Sequence, residues 1–260
     1  MAADALTALL RHDRVIVLSG LGAVTAVAWA YLLLGAGVEM EMMEMGGGQM
    51  MAMPSEWTLG YAALIFVMWA VMMVAMMLPS AAPVILLAAT LDRQRAGAGV
   101  PGRTALFASG YLVVWIGFSL AATLLQWALD SAGLLSEMMA VANRVAAGGV
   151  LLGAGIYQLT PLKDACLAHC RSPIGFLVQH WRSGSLGAIK TGMRHGAFCL
   201  GCCWMLMALL FVGGLMNLFW VAAITLLVLI EKTAPWGGRM ARITGIVLAV
   251  WGAATLVTAI

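Results

Sequence analysis

The chain has 260 residues, of which 63% are hydrophobic and 10% are charged, and its formal net charge is +3. Soluble domains have about 45–50% apolar and about 25% charged residues, so the composition excludes a soluble globular protein. The small net charge and the absence of a basic patch with interleaved aromatic residues exclude nucleic-acid binding. Five cysteines without a secreted, loop-rich pattern do not suggest a disulfide framework. We expect an all-α, polytopic transmembrane helical bundle, with residues 1–260 as one transmembrane domain.

A membrane-spanning helix needs about 20 mostly apolar residues, and the sequence predicts seven such segments. They cover approximately residues 15–36, 57–79, 104–129, 139–160, 192–213, 216–231 and 241–259. The second helix is expected to continue past Pro79 and Pro83 to about Leu91, as a kinked or broken helix. The motif GGLMN predicts a tight hairpin between the fifth helix and the sixth, which is the shortest.

The basic residues of the chain predict its orientation in the membrane. In the seven-helix arrangement every lysine and arginine except Arg144 falls on the side of the amino terminus, whereas most acidic residues fall on the other side. Cytoplasmic loops carry an excess of lysine and arginine. We therefore expect a cytoplasmic amino terminus and an outside carboxyl terminus in a multi-pass protein.

The loop between the first two helices, residues 37–56, is rich in Met, Glu and Gly and is predicted to be extracytoplasmic. An exposed loop has no packing reason for so many methionines, and thioethers are soft ligands that prefer Cu(I). A flexible linker that touches lipid is the alternative interpretation. We interpret the loop as a transient capture site for Cu(I) or Ag(I), formed by Met40, Met42, Met43 and Met45.

The second helix contains the motif MWAVMMVAMMLPS. Met68, Met72 and Met76 form a stripe at i, i+4 and i+8, and Met73 and Met77 form a second stripe beside it. Methionine is a flexible gap-filler, so plain packing is the alternative. So many methionines in a short stretch also suit a ladder of soft ligands, because leucine packs a core with better-defined rotamers.

The segment YQLTPLKDACLAHCRSP is predicted to be a loop after the fourth helix. It contains Cys166, His169 and Cys170, two thiols and an imidazole that leave a zinc coordination sphere short of ligands. His180 or the cysteines of the fifth helix could supply the remainder. Ordinary interfacial cysteines are the alternative, and a structural disulfide is disfavoured on a reducing cytoplasmic side.

The fifth helix contains the motif HGAFCLGCCW. At about 100° per residue its four ligand-type side chains span an arc of about 100°, with Trp204 on the opposite side. The segment rises about 12 Å, so one ion would need further ligands from neighbouring segments. Free cysteine also behaves as a small buried hydrophobe, which is the alternative. The candidate ligands are His195, Cys199, Cys202 and Cys203.

The sixth helix ends in LLVLIEKTAPWGG, on the predicted cytoplasmic side. Glu231 and Lys232 lie at this boundary. An ionisable group inside a helical bundle is a functional candidate, here as a proton relay or as support for a metal site. Contact with lipid headgroups or an ordinary ion pair is the alternative.

Three motifs resemble the signature blocks of a bacterial family of predicted metal-binding integral membrane proteins of unknown function. They are MWAVMMVAMMLPSAAPV, YQLTPLKDACLAHCRSP and GMRHGAFCLGCCWMLMALLFVGGLMNLFW with the later LIEKTAPWG, and the resemblance covers residues 57–240. The Cys-Leu-Gly-Cys-Cys-Trp block is its most specific part. The resemblance implies a bacterial inner-membrane protein, but it implies no reaction and no substrate. It implies metal binding at His195, Cys199, Cys202 and Cys203, with Cys166 and Cys170 as a second cysteine block.

The donor set favours copper. Thiolates, thioethers and imidazoles together suit Cu(I), and zinc is possible at the Cys and His positions alone. Our hypothesis is a copper-binding membrane protein in metal uptake, trafficking or cuproenzyme assembly, with a copper chaperone or cuproprotein as partner. One alternative is a membrane-embedded metal-dependent oxidoreductase on a lipid-soluble substrate, with Glu231 as relay. The other is a thiol–disulfide redox protein that uses Cys199 and Cys202.

Overall fold

The fold is a set of packed helices with one short hairpin of strands. The computed structural model describes residues 2–37, 42–45, 49–52, 57–96, 102–136 and 139–259. The helices are α1 (Ala2–Leu33), α2 (Leu59–Ala96), α3 (Arg103–Ser131), α4 (Arg144–Gln158), α5 (Pro161–Arg171), α6 (Pro173–His180), α7 (Ser185–Ala208), α8 (Leu210–Gly213), α9 (Leu218–Thr233) and α10 (Gly237–Ala259). The antiparallel strands β1 (Met42–Met45) and β2 (Gln49–Ala52) lie within the methionine-rich segment that the sequence predicted as a loop.

Several helices are long and apolar enough to cross a membrane. Within the described part of the chain there are five such spans, in α1, α2, α3, α7 with α8, and α10. A sixth results if α4 and α5, which meet at a bend of 64°, count as one span. Helix α9 has 16 residues, or about 24 Å, against a hydrocarbon core of about 30 Å. The expectation of a helical fold with several helices able to span a membrane is confirmed, and seven crossings with a cytoplasmic amino terminus stay a prediction.

The expected loop after the fourth helix is wrong, because the segment folds as α5 and the start of α6. Helix α5 begins with a strong start signal: the side chain of Thr160 accepts a hydrogen bond from the backbone N–H of Lys163, and Pro161 occupies the first turn. Helix α6 follows with Pro173 in its first turn. Helix α5 therefore holds both cysteines of this segment, Cys166 and Cys170, in a defined orientation.

Helix α2 continues through Pro79 and Pro83 to Ala96, which bears out and extends the expectation that it passes both prolines. It packs antiparallel to α3. The Trp69 indole donates to Gln126 at 2.7 Å near the carboxyl end of α3, and Arg103 pairs with Asp92 at 3.0 Å at the amino end of α3. This register brings the middle of α3 beside the proline-containing part of α2.

Close approach of α3 and α7 depends on glycine. A Cβ atom at Gly192 of α7 would overlap the backbone oxygen of Phe107 in α3. Small residues of this kind let helix backbones come together in membrane proteins. The close, parallel contact places Tyr111 of α3 against the cysteine-bearing face of α7. On the far side of the bundle, α4 and α10 approach in the same way at Gly155, which faces the Ala249 backbone.

Candidate metal centre

Four cysteine thiols from two helices meet in the interior. Helix α7 buries three of them, Cys199, Cys202 and Cys203. Trp204, which the sequence places on the opposite side of this helix, is exposed. Cys170 of α5 is buried against them, with its Sγ atom 3.9 Å from Sγ of Cys202, and all are free thiols. We call Cys170, Cys199, Cys202 and Cys203 the thiol cluster.

A thioether from α2 adds to the thiol cluster. The Sδ atom of Met77 lies 3.9 Å from Sγ of Cys203. Met77 belongs to the second of the two methionine stripes. The residues of the other stripe, Met68, Met72 and Met76, are also buried along α2. Among the described residues, Met77 is the methionine whose sulfur contacts a thiol of the cluster.

Lys232 of α9 reaches the thiol cluster directly. Its Nζ atom donates to Sγ of Cys199 at 2.9 Å and to the Ser80 hydroxyl at 3.2 Å. The Tyr111 hydroxyl lies 3.1 Å from the same sulfur. A buried ammonium is costly unless it is paired, so this arrangement provides a positive charge where thiolate or metal–thiolate charge would form.

Glu231 turns away from the thiol cluster, although it precedes Lys232 in sequence. Its carboxylate accepts from Lys163 of α5 at 2.6 Å and from Gln158 of α4 at 2.8 Å. Lys163 is fully buried, with 0% of its surface exposed. The Glu231 backbone oxygen also accepts from the Arg171 guanidinium at 2.8 Å. Glu231 therefore fastens α5, which carries Cys170, to α9, which carries Lys232.

His195 is buried one helical turn before Cys199, with 2% of its surface exposed. Its ring lies 5.7 Å from the Tyr111 ring and 5.0 Å from the Phe176 ring, measured between centroids. Its Nδ1 atom has no hydrogen-bond partner among the described residues. A buried polar atom without a partner is expensive, and an unpaired imidazole nitrogen beside thiols suits a metal ligand.

Cys166 and His169 lie outside the thiol cluster. Cys166 is half-buried and faces Gly201, whose ideal Cβ position is 2.8 Å from its sulfur. The His169 ring stacks on Phe198 at a centroid distance of 4.0 Å, and its Nδ1 atom is 2.8 Å from the Ala165 oxygen. Of the second cysteine block, Cys170 alone enters the cluster.

The spacing of Cys170 and Cys202 fits two sulfur ligands of one metal ion. In the described part of the chain, no group of three or more His, Cys, Asp or Glu side chains is arranged to hold a metal ion. Metal–thiolate bonds of about 2.3 Å that span the 3.9 Å between Cys170 and Cys202 would enclose about 115°. This angle lies between the tetrahedral and the trigonal values, so the two sulfurs could share one metal ion that also binds further soft donors.

The methionine-rich segment is described in part. Met42, Met43 and Met45 belong to β1, where Met43 pairs with Met51 of β2. Met40 lies outside the described residues.

Two residues near the site escaped the sequence reasoning. Tyr111 is the sole tyrosine in the apolar stretch of α3, and a buried tyrosine hydroxyl usually finds a partner. Lys163 precedes Cys166 by three residues and resembles a solvated lysine at a helix start. Tyr111 could have been noticed in the sequence, because a tyrosine hydroxyl inside an apolar helix needs a hydrogen-bond partner. Nothing in the local sequence indicates that Lys163 is buried.

The chain matches a known protein family. Residues 66–255 match the model of the family PpoB2, which is described as a copper chaperone. No curated protein and no solved structure matches the chain. The matched range contains the whole thiol cluster together with Met77, Tyr111 and Lys232, and it excludes the methionine-rich segment.

Proposed function

The chain belongs to the PpoB2 family of copper chaperones, and we propose that it binds Cu(I) at the thiol cluster and passes it to an acceptor protein. The process it serves is copper uptake, trafficking or cuproenzyme assembly in the bacterial inner membrane. The observation that supports this proposal most directly is the buried pair of Cys170 and Cys202, 3.9 Å apart, with further sulfur donors beside it.

The charge of the site favours Cu(I). Two thiolates and one Cu(I) ion carry a net charge of −1, which the Lys232 ammonium beside Cys199 would neutralise. Neutral assemblies are favoured in a low-dielectric interior, where unpaired charges are costly. A Zn(II) ion with the same two thiolates would be neutral and would leave the Lys232 ammonium without a compensating charge. Zinc is therefore the weaker candidate.

The number of sulfur donors supports transfer rather than permanent storage. Cys203 and Met77 are 3.9 Å apart, as are Cys170 and Cys202. A Cu(I) ion could exchange one sulfur ligand for another without a change of oxidation state. Several weaker stations allow an ion to move on, whereas one tight site would trap it.

The methionine-rich segment is proposed to collect copper on the outer side. Its methionines are soft ligands for Cu(I) that do not form disulfides. The methionines of α2, including Met68, Met72 and Met76, lie between this segment and Met77 along the chain. They are proposed to guide the ion from the outer side towards the thiol cluster.

The first prediction concerns copper affinity. Cys199→Ser combined with Cys202→Ser should weaken Cu(I) binding at least about 100-fold, because the oxygen that replaces each sulfur is a poor ligand for a soft ion. Competition with a chromogenic Cu(I) chelator, carried out on purified protein without oxygen, measures this. Cys166→Ser is the matched control, because Cys166 lies outside the cluster. Equal copper affinity of the double variant and the unaltered protein would overturn the proposal.

A further inference from the structure

Two histidines outside the thiol cluster are held in similar ways. His169 lies near the end of α5 and His180 ends α6, and both are half-buried. Their ring centroids are 6.0 Å apart, with an interplanar angle of 59°. Each ring contacts a phenylalanine: His169 stacks on Phe198 at 4.0 Å, and His180 on Phe176 at 5.0 Å.

The hydrogen bonds of these rings select one tautomer. Nδ1 of His169 is 2.8 Å from the Ala165 oxygen, and Nδ1 of His180 is 3.0 Å from the Phe176 oxygen. A carbonyl oxygen only accepts hydrogen bonds, so Nδ1 carries the proton and donates it. The lone pair of each neutral ring then lies on Nε2, which has no hydrogen-bond partner among the described residues. Metal-binding histidines are oriented in this way, with the second ring nitrogen donating to a carbonyl.

We infer that His169 and His180 form a second metal site, which holds Cu(I) between two Nε2 atoms at the corner between α5 and α6. This inference rests on the proposed function, because it makes the pair an exchange station for the thiol cluster. Two metal–nitrogen bonds of about 2.0 Å, plus the half-width of each ring, place the centroids about 5–6 Å apart. The centroid separation of 6.0 Å permits that geometry.

The two sites share their supporting elements. His169 is followed directly by Cys170 of the thiol cluster, and Phe198, on which His169 stacks, is followed by Cys199. The pair is half-buried, whereas the thiols are buried. Imidazoles bind many metals, while thiolates are the softer ligands for Cu(I). Exchange of imidazole for thiolate is a ligand substitution that needs no oxidant or reductant.

X-ray absorption spectroscopy tests this inference, because sulfur and nitrogen ligands of Cu(I) give different scattering. The full-length protein is loaded with Cu(I) in detergent, without oxygen. His169→Gln combined with His180→Gln should lose about one equivalent of copper together with its two nitrogen ligands, while sulfur-bound copper persists. Cys199→Ser combined with Cys202→Ser should retain nitrogen-bound copper. His12→Gln is the matched control, and circular dichroism verifies that each variant is folded.

The outcomes separate the two proposals. If the double histidine variant keeps the copper stoichiometry and nitrogen scattering of the unaltered protein, the second site is wrong. If the nitrogen-bound equivalent behaves as expected but sulfur-bound copper is absent from the unaltered protein, the thiol cluster fails as a copper site and the histidine site stands.

Discussion

The Lys232 ammonium places a positive charge directly against the Cys199 sulfur. Lys232 donates to the Cys199 sulfur and the Ser80 hydroxyl, and Tyr111 approaches the same sulfur. The Cys199 sulfur thus has two polar neighbours, the Lys232 ammonium and the Tyr111 hydroxyl, in the buried interior. Under the proposed function, these neighbours stabilise the negative charge that a copper–dithiolate group carries.

Removal of the lysine charge should weaken copper binding while the sulfur ligands remain. A hydrogen bond that involves a charged group contributes about 1.5–3 kcal/mol, so Lys232→Met should lower Cu(I) affinity by about 10- to 150-fold. Lys232→Arg keeps the charge and is the matched control, with a smaller loss expected. The same chelator competition measures both variants. Unchanged affinity in Lys232→Met would show that the charge does not act on the bound ion.

At the scale of elements, the buried pair of Glu231 and Lys163 connects α9 to α5. Both side chains are almost fully buried, with 2% and 0% exposed, and their atoms are 2.6 Å apart. The pair lies beside the thiol cluster without contributing a ligand. Its effect is to hold Cys170, on the short helix α5, at the same depth as Lys232.

Breaking this pair should destabilise the protein more than removing it entirely. Glu231→Leu leaves the Lys163 ammonium buried without a partner, at a cost of about 3–5 kcal/mol. Combination with Lys163→Met removes both charges and should restore most of the lost stability. Thermal unfolding in detergent compares the two variants. If the double variant is no more stable than Glu231→Leu alone, the buried charge is not the cause of the loss.

At the scale of the whole molecule, the number of membrane crossings determines whether the two termini lie on the same side of the membrane. The described residues contain five spans of sufficient length and apolarity, or six with the bent pair of α4 and α5. Helix α9 is shorter, yet its end meets that of α4 through Gln158 and Glu231. Because the ends of α4 and α9 lie at the same level, a membrane crossing by α4 with α5 supports a crossing by α9 as well.

Seven crossings predict that the two termini lie on opposite sides of the membrane. A reporter that fluoresces only in the cytoplasm should be active when fused to the amino terminus and inactive when fused to the carboxyl terminus. An alkaline phosphatase fusion at the carboxyl terminus should be active, because that enzyme requires the oxidising outer side. Cytoplasmic activity of both fluorescent fusions would mean an even number of crossings.

Much of the molecule follows from local sequence. Hydropathy over about 20 residues is a property of each segment alone, so the long apolar helices were predictable. Helical periodicity put Cys199, Cys202 and Cys203 on one face, and the structure buries that face while Trp204 is exposed. The soft-ligand character of the chain follows from its residue types.

Contacts between distant segments could not be read in this way. Helix rotation and close packing decide which of the five methionines of α2 contacts a thiol, and the structure selects Met77. They also decide that Cys170 rather than Cys166 joins the thiol cluster, and that Glu231 and Lys232 have different partners. Helix start signals at Thr160 and Pro161 were present in the sequence, but the polarity of the segment suggested a loop. Periodicity shows which residues share a face of one helix. Which other helix that face contacts depends on packing between segments that are far apart in the chain.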